Sequence, residues 1–382
     1  MDTLNINDNQ ILDEITQTRN IQKGTRKNYQ NAIKLYTESQ GKTLTELIQE
    51  AEAEEENGVR LKNRTLKKRL IHFRNYLIND KNYSKLTIEK TVSLVKTIYS
   101  HYEIEIPKIP VFNNKPAKEY PPIYYDDLPT KELIQEAIRL SNPLMESIIL
   151  FICSSGCAKA ETLSLTIQDF ITATSEWHNS TNIYEVLNEL KTQDNVVPIF
   201  KLKRRKVNKY YYTFCSPEAV TAIVSYLNSR TDKLTPESPL FKISDNYFNK
   251  KFIELNNLLG NVKKGCFGLI RGHMLRKFHA SNLQRGENGL TIEEIDSLQG
   301  RTKKQVHDSY FFDDPQELRK KYLANIDKVL IFSDVVTVDT PEVAAIKKRN
   351  EELENNIDRI VDEKLHGKIE KILMESGYFD KR

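Results

Sequence analysis

Five prolines, Pro107, Pro110, Pro116, Pro121 and Pro122, fall within sixteen residues of this 382-residue chain. Each ring fixes φ and removes an amide donor, so neither a helix nor an interior strand can run through the stretch. It reads as a linker, residues 107–125, and whatever folds must do so on either side of it. The usual domain size of about 100 to 200 residues agrees with at least two domains. Apolar residues make up 39 % of the chain and charged residues 29 %, enough of the first to bury cores and too mixed a set of the second for wholesale disorder. No run approaches the roughly 20 apolar residues of a membrane helix, and the start, MDTLNINDNQ, lacks the order of a secretory signal. A cytoplasmic protein with no membrane partner is expected. Cys153, Cys157, Cys215 and Cys266 are scattered, without the spacing of a zinc site, and read as reduced core thiols.

Before the linker the pattern is helical. After a flexible start, residues 1–20, the segment TRKNYQNAIKLYTESQG sets Tyr29, Ala32, Ile33 and Tyr36 on one face, with Gly41 as a stop. NRTLKKRLIHFRNYL turns Leu66, Leu70, Phe73 and Leu77 inward and spreads Arg64, Lys67, Lys68, Arg69 and Arg74 over its polar side. LTIEKTVSLVKTIYSHY aligns Ile88, Val92, Val95 and Tyr99. Residues 21–106 therefore make a small helical domain with a basic outer face. After the linker, residues 126–335 read as a second domain, mainly α, with a β region at VVPIFKLKRRKVNKYYYTFCS. In the tail, 336–382, Val343, Ile346, Asn350, Leu353, Ile357 and Ile360 recur at alternating spacings of three and four. That is a short heptad seam, either for self-association or for lying along the body.

Four elements carry chemistry. SSGCAKAETLSL breaks an apolar helix at Gly156 and follows it with Lys159 and Glu161. KLKRRKVNK places Lys201, Lys203, Arg204, Arg205, Lys206 and Lys209, six cations in nine residues, between two β-favouring segments. Such a hairpin tip grips a polyanion with salt-sensitive affinity; a merely solvated loop seldom omits acids so completely. RGHMLRKFHASNL puts His273 and Arg276 three apart on one helical face. QGRTKKQVHDSYFFDD places Tyr310 nine residues after Arg301. A free phenol, with pKa about 10, is a poor nucleophile unless cations stabilise its oxyanion.

In this order the four elements resemble the tyrosine recombinase or integrase family, and more closely its archaeal-type members, over almost the whole chain to about residue 335. The resemblance implies a helical core-binding domain and a mainly α catalytic domain with a small antiparallel sheet, closing as a C-shaped clamp on DNA. It implies that Tyr310 attacks a DNA phosphodiester to give a 3′-phosphotyrosyl link, with no metal and no cofactor. Arg276, Lys159 and Arg301 would neutralise the phosphate, His273 would assist proton transfer and Lys206 would protonate the leaving hydroxyl. Lys201, Lys203, Arg204, Arg205 and Lys209, with Arg64, Lys67 and Lys68, would bind DNA. The partners implied are double-stranded DNA carrying a specific site and a homotetramer exchanging strands through a Holliday junction. Two positions depart from the family. Ala158 and Lys159 stand where its first arginine belongs, and lysine supplies charge without the bidentate fork; losing one such contact costs roughly 1.5–3 kcal/mol, one to two decades in rate. Arg301 stands at the His/Trp position. A strand-relaxing enzyme of the type IB topoisomerase kind and a catalytically impaired DNA-binding member are the alternative readings.

Overall fold

The computed structural model describes residues 4, 6–111, 122–265, 267–302 and 314–332. The chain divides into two compact units, Met1–Pro122 and Ile123–Arg382.

Among the described residues the first unit is built of helices, α1 Ile6–Thr18, α2 Lys23–Gln40, α3 Leu44–Glu56, α4 Leu66–Asn79 and α5 Lys85–His101. Gly41 ends α2 in the left-handed conformation, φ 64°, and donates to the Thr37 carbonyl, the usual way an orphan carbonyl is satisfied. Thr43 and Glu46 close a capping box at the start of α3. The inward faces read from the sequence are buried on α2, α4 and α5 alike. At their centre Tyr36 meets Phe73 edge-on at 5.0 Å, and its hydroxyl shares a 2.9 Å hydrogen bond with that of Tyr99, which satisfies both buried phenols. The start of the chain departs from expectation. Residues 6–18 form α1, with Leu12 and Ile15 fully buried in the same core. Their spacing of three is a single helical contact, too short a signal to separate from chance in a polar segment.

The second unit is also mainly α, as the sequence indicates, with two small antiparallel sheets. Helices α6 Lys131–Arg139, α7 Pro143–Ser155, α8 Lys159–Ser164, α9 Ile167–Ala173 and α10 Ile183–Leu190 precede strands β1 Ile199–Arg204 and β2 Lys209–Phe214. Then come α11 Pro217–Ser229, α12 Asp245–Leu258, the two-residue strands β3 Lys263–Lys264 and β4 Phe267–Gly268, α13 Gly272–Leu283, α14 Ile292–Leu298 and α15 Pro315–Leu323. Helix α7 is buried at every position but Glu146, which suits a central helix; α11 and α13 pack against it. Phe151 on α7 contacts Phe200 of β1 at 5.4 Å and Phe241 at 5.6 Å. Behind the hairpin, Tyr322 of α15 donates to the Ser154 carbonyl at 2.9 Å and packs on Phe214. Cys153, Cys157 and Cys215 are buried free thiols, and burial raises the pKa of each, that of Cys157 to about 11. Among the described residues no helix is long and apolar enough to cross a membrane. Cys266, Tyr310 and the heptad tail from Val343 to Ile360 lie outside the described residues.

Candidate active site

Two glycine turns and one arginine define the site. Gly156 ends α7 at φ 62° and donates to the Ile152 carbonyl; Gly300 follows α14 at φ 59°. Neither tolerates a side chain. A Cβ on Gly156 would lie 2.5 Å from His279 Nδ1 and 2.8 Å from Gln299 Nε2, and one on Gly300 would lie 2.5 Å from the Tyr211 ring. Between the turns α13 carries Arg276, whose Nη1 donates to the Gly156 carbonyl at 2.5 Å and whose Nη2 donates to the Gln299 carbonyl at 2.8 Å. Gln299 returns the contact, its Nε2 donating to the Arg276 carbonyl at 3.1 Å and to His279 Nδ1 at 3.0 Å. The guanidinium is thus fastened at both ends, and the residue is only 6 % exposed. Burial first, and then the cations of Arg204 and Arg301, press its pKa below the ordinary value; an arginine in that range stays charged. Arg276 has no carboxylate partner within salt-bridge distance among the described residues; a buried charge so placed is costly, and an anionic ligand relieves the cost.

The β1–β2 hairpin rises beside this arginine. Its register pairs Lys201 with Tyr212, Lys203 with Tyr210 and Arg204 with Lys209. Strand alternation sends Phe200 and Leu202 into the core and Lys201 and Lys203 outward, where each ammonium lies over a tyrosine ring, at 6.0 Å from Tyr212 and 5.2 Å from Tyr210. Arg205 and Lys206 are exposed in the single turn of 3-10 helix at the tip, closed by Asn208 in the left-handed conformation, and Lys209 is half-buried. Arg204 belongs to the inward set. Its Nη1 donates to the Gly300 carbonyl at 3.0 Å and lies 3.4 Å from that of Gln299. Its Nε lies 3.8 Å from the buried carboxylate of Glu161. By sequence Arg204 counts with the outer cations; its even spacing from Phe200 and Leu202 is the signal that separates it.

Lys159, His273 and Arg276 line one cavity of about 690 Å³, walled by Phe248 and Phe252 of α12 and by Arg271. Within it Lys159 is engaged by α12: its Nζ is 2.7 Å from Asp245 Oδ1 and 3.0 Å from Asn249 Oδ1. His273 sits exposed in the first turn of α13, its pKa lowered by partial desolvation and by Lys277, Arg271, Arg276 and Arg301. It is therefore neutral at pH 7, able to accept a proton. Arg301 leans on Asp296, Nη1 to Oδ1 at 3.2 Å, and remains partly exposed. His279, not singled out from the sequence, is fully buried beneath Gly156; desolvation, then Arg276 and Arg301, lower its pKa to about 3. In the first unit Arg64 pairs with Glu55 and donates to the Val59 carbonyl at 2.9 Å, bracing the end of α3, while Lys67 is half-buried and Lys68 exposed.

No family model matches the chain, and no curated protein matches it. Solved structures do. A XerH site-specific recombinase bound to palindromic difH substrate, in a post-cleavage complex, aligns with 15 % identity and a TM-score of 0.49 over 82 % of this chain and 83 % of that one. The Tn1549 transposon integrase (residues 82–397), in complex with circular intermediate DNA, aligns with 10 % identity and a TM-score of 0.48 over 83 % of this chain and 98 % of that one. The XerA recombinase aligns with 18 % identity and a TM-score of 0.32 over 82 % and 96 %. At these values the functional reading rests on the site itself.

Proposed function

We propose that this chain is a tyrosine site-specific recombinase, an integrase of the archaeal type, acting on double-stranded DNA as a homotetramer on two synapsed sites in the cytoplasm. One observation carries the reading most directly: Arg276 is clamped between the Gly156 and Gln299–Gly300 turns, with His273 beside it and the cationic hairpin next to it. That is a preorganised positive site, aimed where negative charge grows on a phosphate in flight. The motif order supplies the rest. In the first step the Tyr310 phenol oxygen forms a bond to phosphorus while the bond from phosphorus to the 5′ oxygen breaks. His273 takes the phenol proton and Lys206, exposed on the hairpin turn, donates one to the departing 5′ oxygen. Arg276, Arg301 and Lys159 neutralise the pentavalent phosphate. A second 5′-hydroxyl then reverses the step on the partner strand, and two rounds pass through a Holliday junction. None of these steps needs metal, cofactor or ATP.

The test works without a defined target sequence. A pool of nicked duplexes with a randomised core is incubated with the full chain, and denaturant-resistant protein–DNA adducts are selected and sequenced. Adducts converging on one sequence, lost in Tyr310→Phe while binding persists, are the expected result. Adducts in Tyr310→Phe would reassign the nucleophile, and adducts at every sequence, with relaxation of supercoils, would favour the topoisomerase reading. Binding without adducts in the unaltered chain would favour the disabled DNA binder.

A further inference from the structure

Resting on that recombinase reading, we infer that Arg204 of the hairpin, rather than a residue of the Gly156 turn, supplies the guanidinium that acts beside Arg276 on the reacting phosphate. Four observations meet on it. First, the turn after Gly156 offers no guanidinium, and its one cation, Lys159, is drawn to Asp245 and Asn249 on α12. Second, Arg204 is turned inward by strand alternation and is held by the same turn that holds Arg276: the Gln299 carbonyl accepts from Arg276, and the next carbonyl, that of Gly300, accepts from Arg204. Two guanidinium groups fastened to consecutive carbonyls are neighbours by construction. Third, Glu161, 7 % exposed, lies against Arg204 Nε and has its Oε2 without a hydrogen-bond partner among the described residues. A carboxylate so placed orients the fork and offsets part of the repulsion between the two arginines. Fourth, the Arg204 side chain is 20 % exposed, so it is braced without being sealed from solvent.

The chemistry follows from the count of donors. A guanidinium carries five N–H groups in a fixed fork. The contacts just named engage Nη1 and Nε of Arg204, and Nη2 stands at the other tip of the fork. Arg276 and Arg204 together can then address both non-bridging oxygens of one phosphate, the bidentate geometry that an ammonium cannot reproduce. Placing the group on the hairpin that also bears Lys206 has a consequence: the leaving-group acid and the second phosphate clamp arrive together when the hairpin is seated against Gly300.

The experiment uses the sequence selected above in two forms, one with a normal phosphodiester at the scissile position and one with a methylphosphonate, which lacks the negative charge on a non-bridging oxygen. Single-turnover adduct formation is measured for the unaltered chain, Arg204→Met and Arg204→Lys, with duplex affinity measured alongside. The expected result on the phosphodiester is a loss of about 10- to 100-fold for Arg204→Met, with Arg204→Lys between it and the parent. On the methylphosphonate the gap between parent and Arg204→Met narrows toward unity, because a cation that neutralises charge has none left to neutralise. An equal loss on both substrates would reduce Arg204 to a structural brace, and parent-like rates for Arg204→Met would remove it from the reaction. If Arg204→Met fails to fold, the same comparison with Arg204→Lys decides, since loss of the fork is relieved on the neutral substrate only if the fork touches the phosphate. Failure of the unaltered chain to form any adduct falls instead on the recombinase reading, and this inference falls with it.

Discussion

Replacing Gly156 with alanine should destabilise the second unit by about 2–5 kcal/mol. The figure has two sources. An alanine held at φ 62° sits in the left-handed region, which costs an L-residue about 1–2 kcal/mol. Its methyl would then stand 2.5 Å from His279 Nδ1 and 2.8 Å from Gln299 Nε2. Both are buried side chains fixed by hydrogen bonds, so relief requires moving the Gln299 bond to the Arg276 carbonyl; overpacking of this kind costs about 1–3 kcal/mol. Gly260 provides the control, because its φ is 80° and a Cβ there would meet nothing within 4 Å. Gly260→Ala should lose only the backbone part, about 1–2 kcal/mol. Urea unfolding followed by tryptophan fluorescence reads the right unit, since the only tryptophan, Trp177, belongs to it. The expected result is a lower midpoint for Gly156→Ala than for Gly260→Ala at unchanged slope. Equal midpoints would show that His279 and Gln299 do not pack beneath the turn, and the account of how Arg276 is held would go with them.

Acid should unfold the protein partly through His279. Its folded pKa of about 3 lies below the unfolded value of 6.5, so between those values the unfolded chain binds a proton that the folded chain does not. The stability this site confers is complete above about pH 6.5 and is lost as pH falls toward 3, by up to about 1.4 kcal/mol per pH unit. His279→Phe should flatten that difference curve over the same window, and a parallel curve would refute the assignment. On the hairpin, Lys203→Gln with Arg205→Gln should lower the steepness of log affinity against log salt by about one per cation; a slope equal to the parent's would remove the outer face from the DNA contact.

Much of the site was legible because its parts announce themselves locally. Gly156 interrupts an apolar run, His273 and Arg276 share a helical face, and six cations crowd a segment flanked by β-formers. Each signal lies within a few residues, and the structure places the first two around one arginine. What sequence could not supply was the partner each cation finds across the fold. Lys159 meets Asp245, 86 positions away, and Arg64 meets Glu55 on a preceding helix. No periodicity encodes either pairing, because a side chain's direction is set by its own element and its partner by the packing of others. The two-residue strands β3 and β4 were invisible for a related reason: they are too short to carry a period, and the segment after them is held by Asn256 of α12, whose Oδ1 accepts from the Ile270 amide at 3.0 Å and whose Nδ2 donates to the Ile270 carbonyl at 2.6 Å.

The hairpin shows where composition misleads. Counted together, its six cations look like one surface for a polyanion, yet alternation divides them: Lys201 and Lys203 lie over tyrosine rings on the outside, and Arg204 is drawn inside by the carbonyls of Gln299 and Gly300. An inward arginine next to Arg276 carries an electrostatic cost, since two like charges at close quarters with one nearby carboxylate repel in a medium of reduced dielectric. That cost is largest when no anion is bound. On the proposed reading it would fall when a phosphate enters, so the arrangement that is costly in the free protein would favour a doubly clamped phosphate, and most of all the more highly charged pentavalent one.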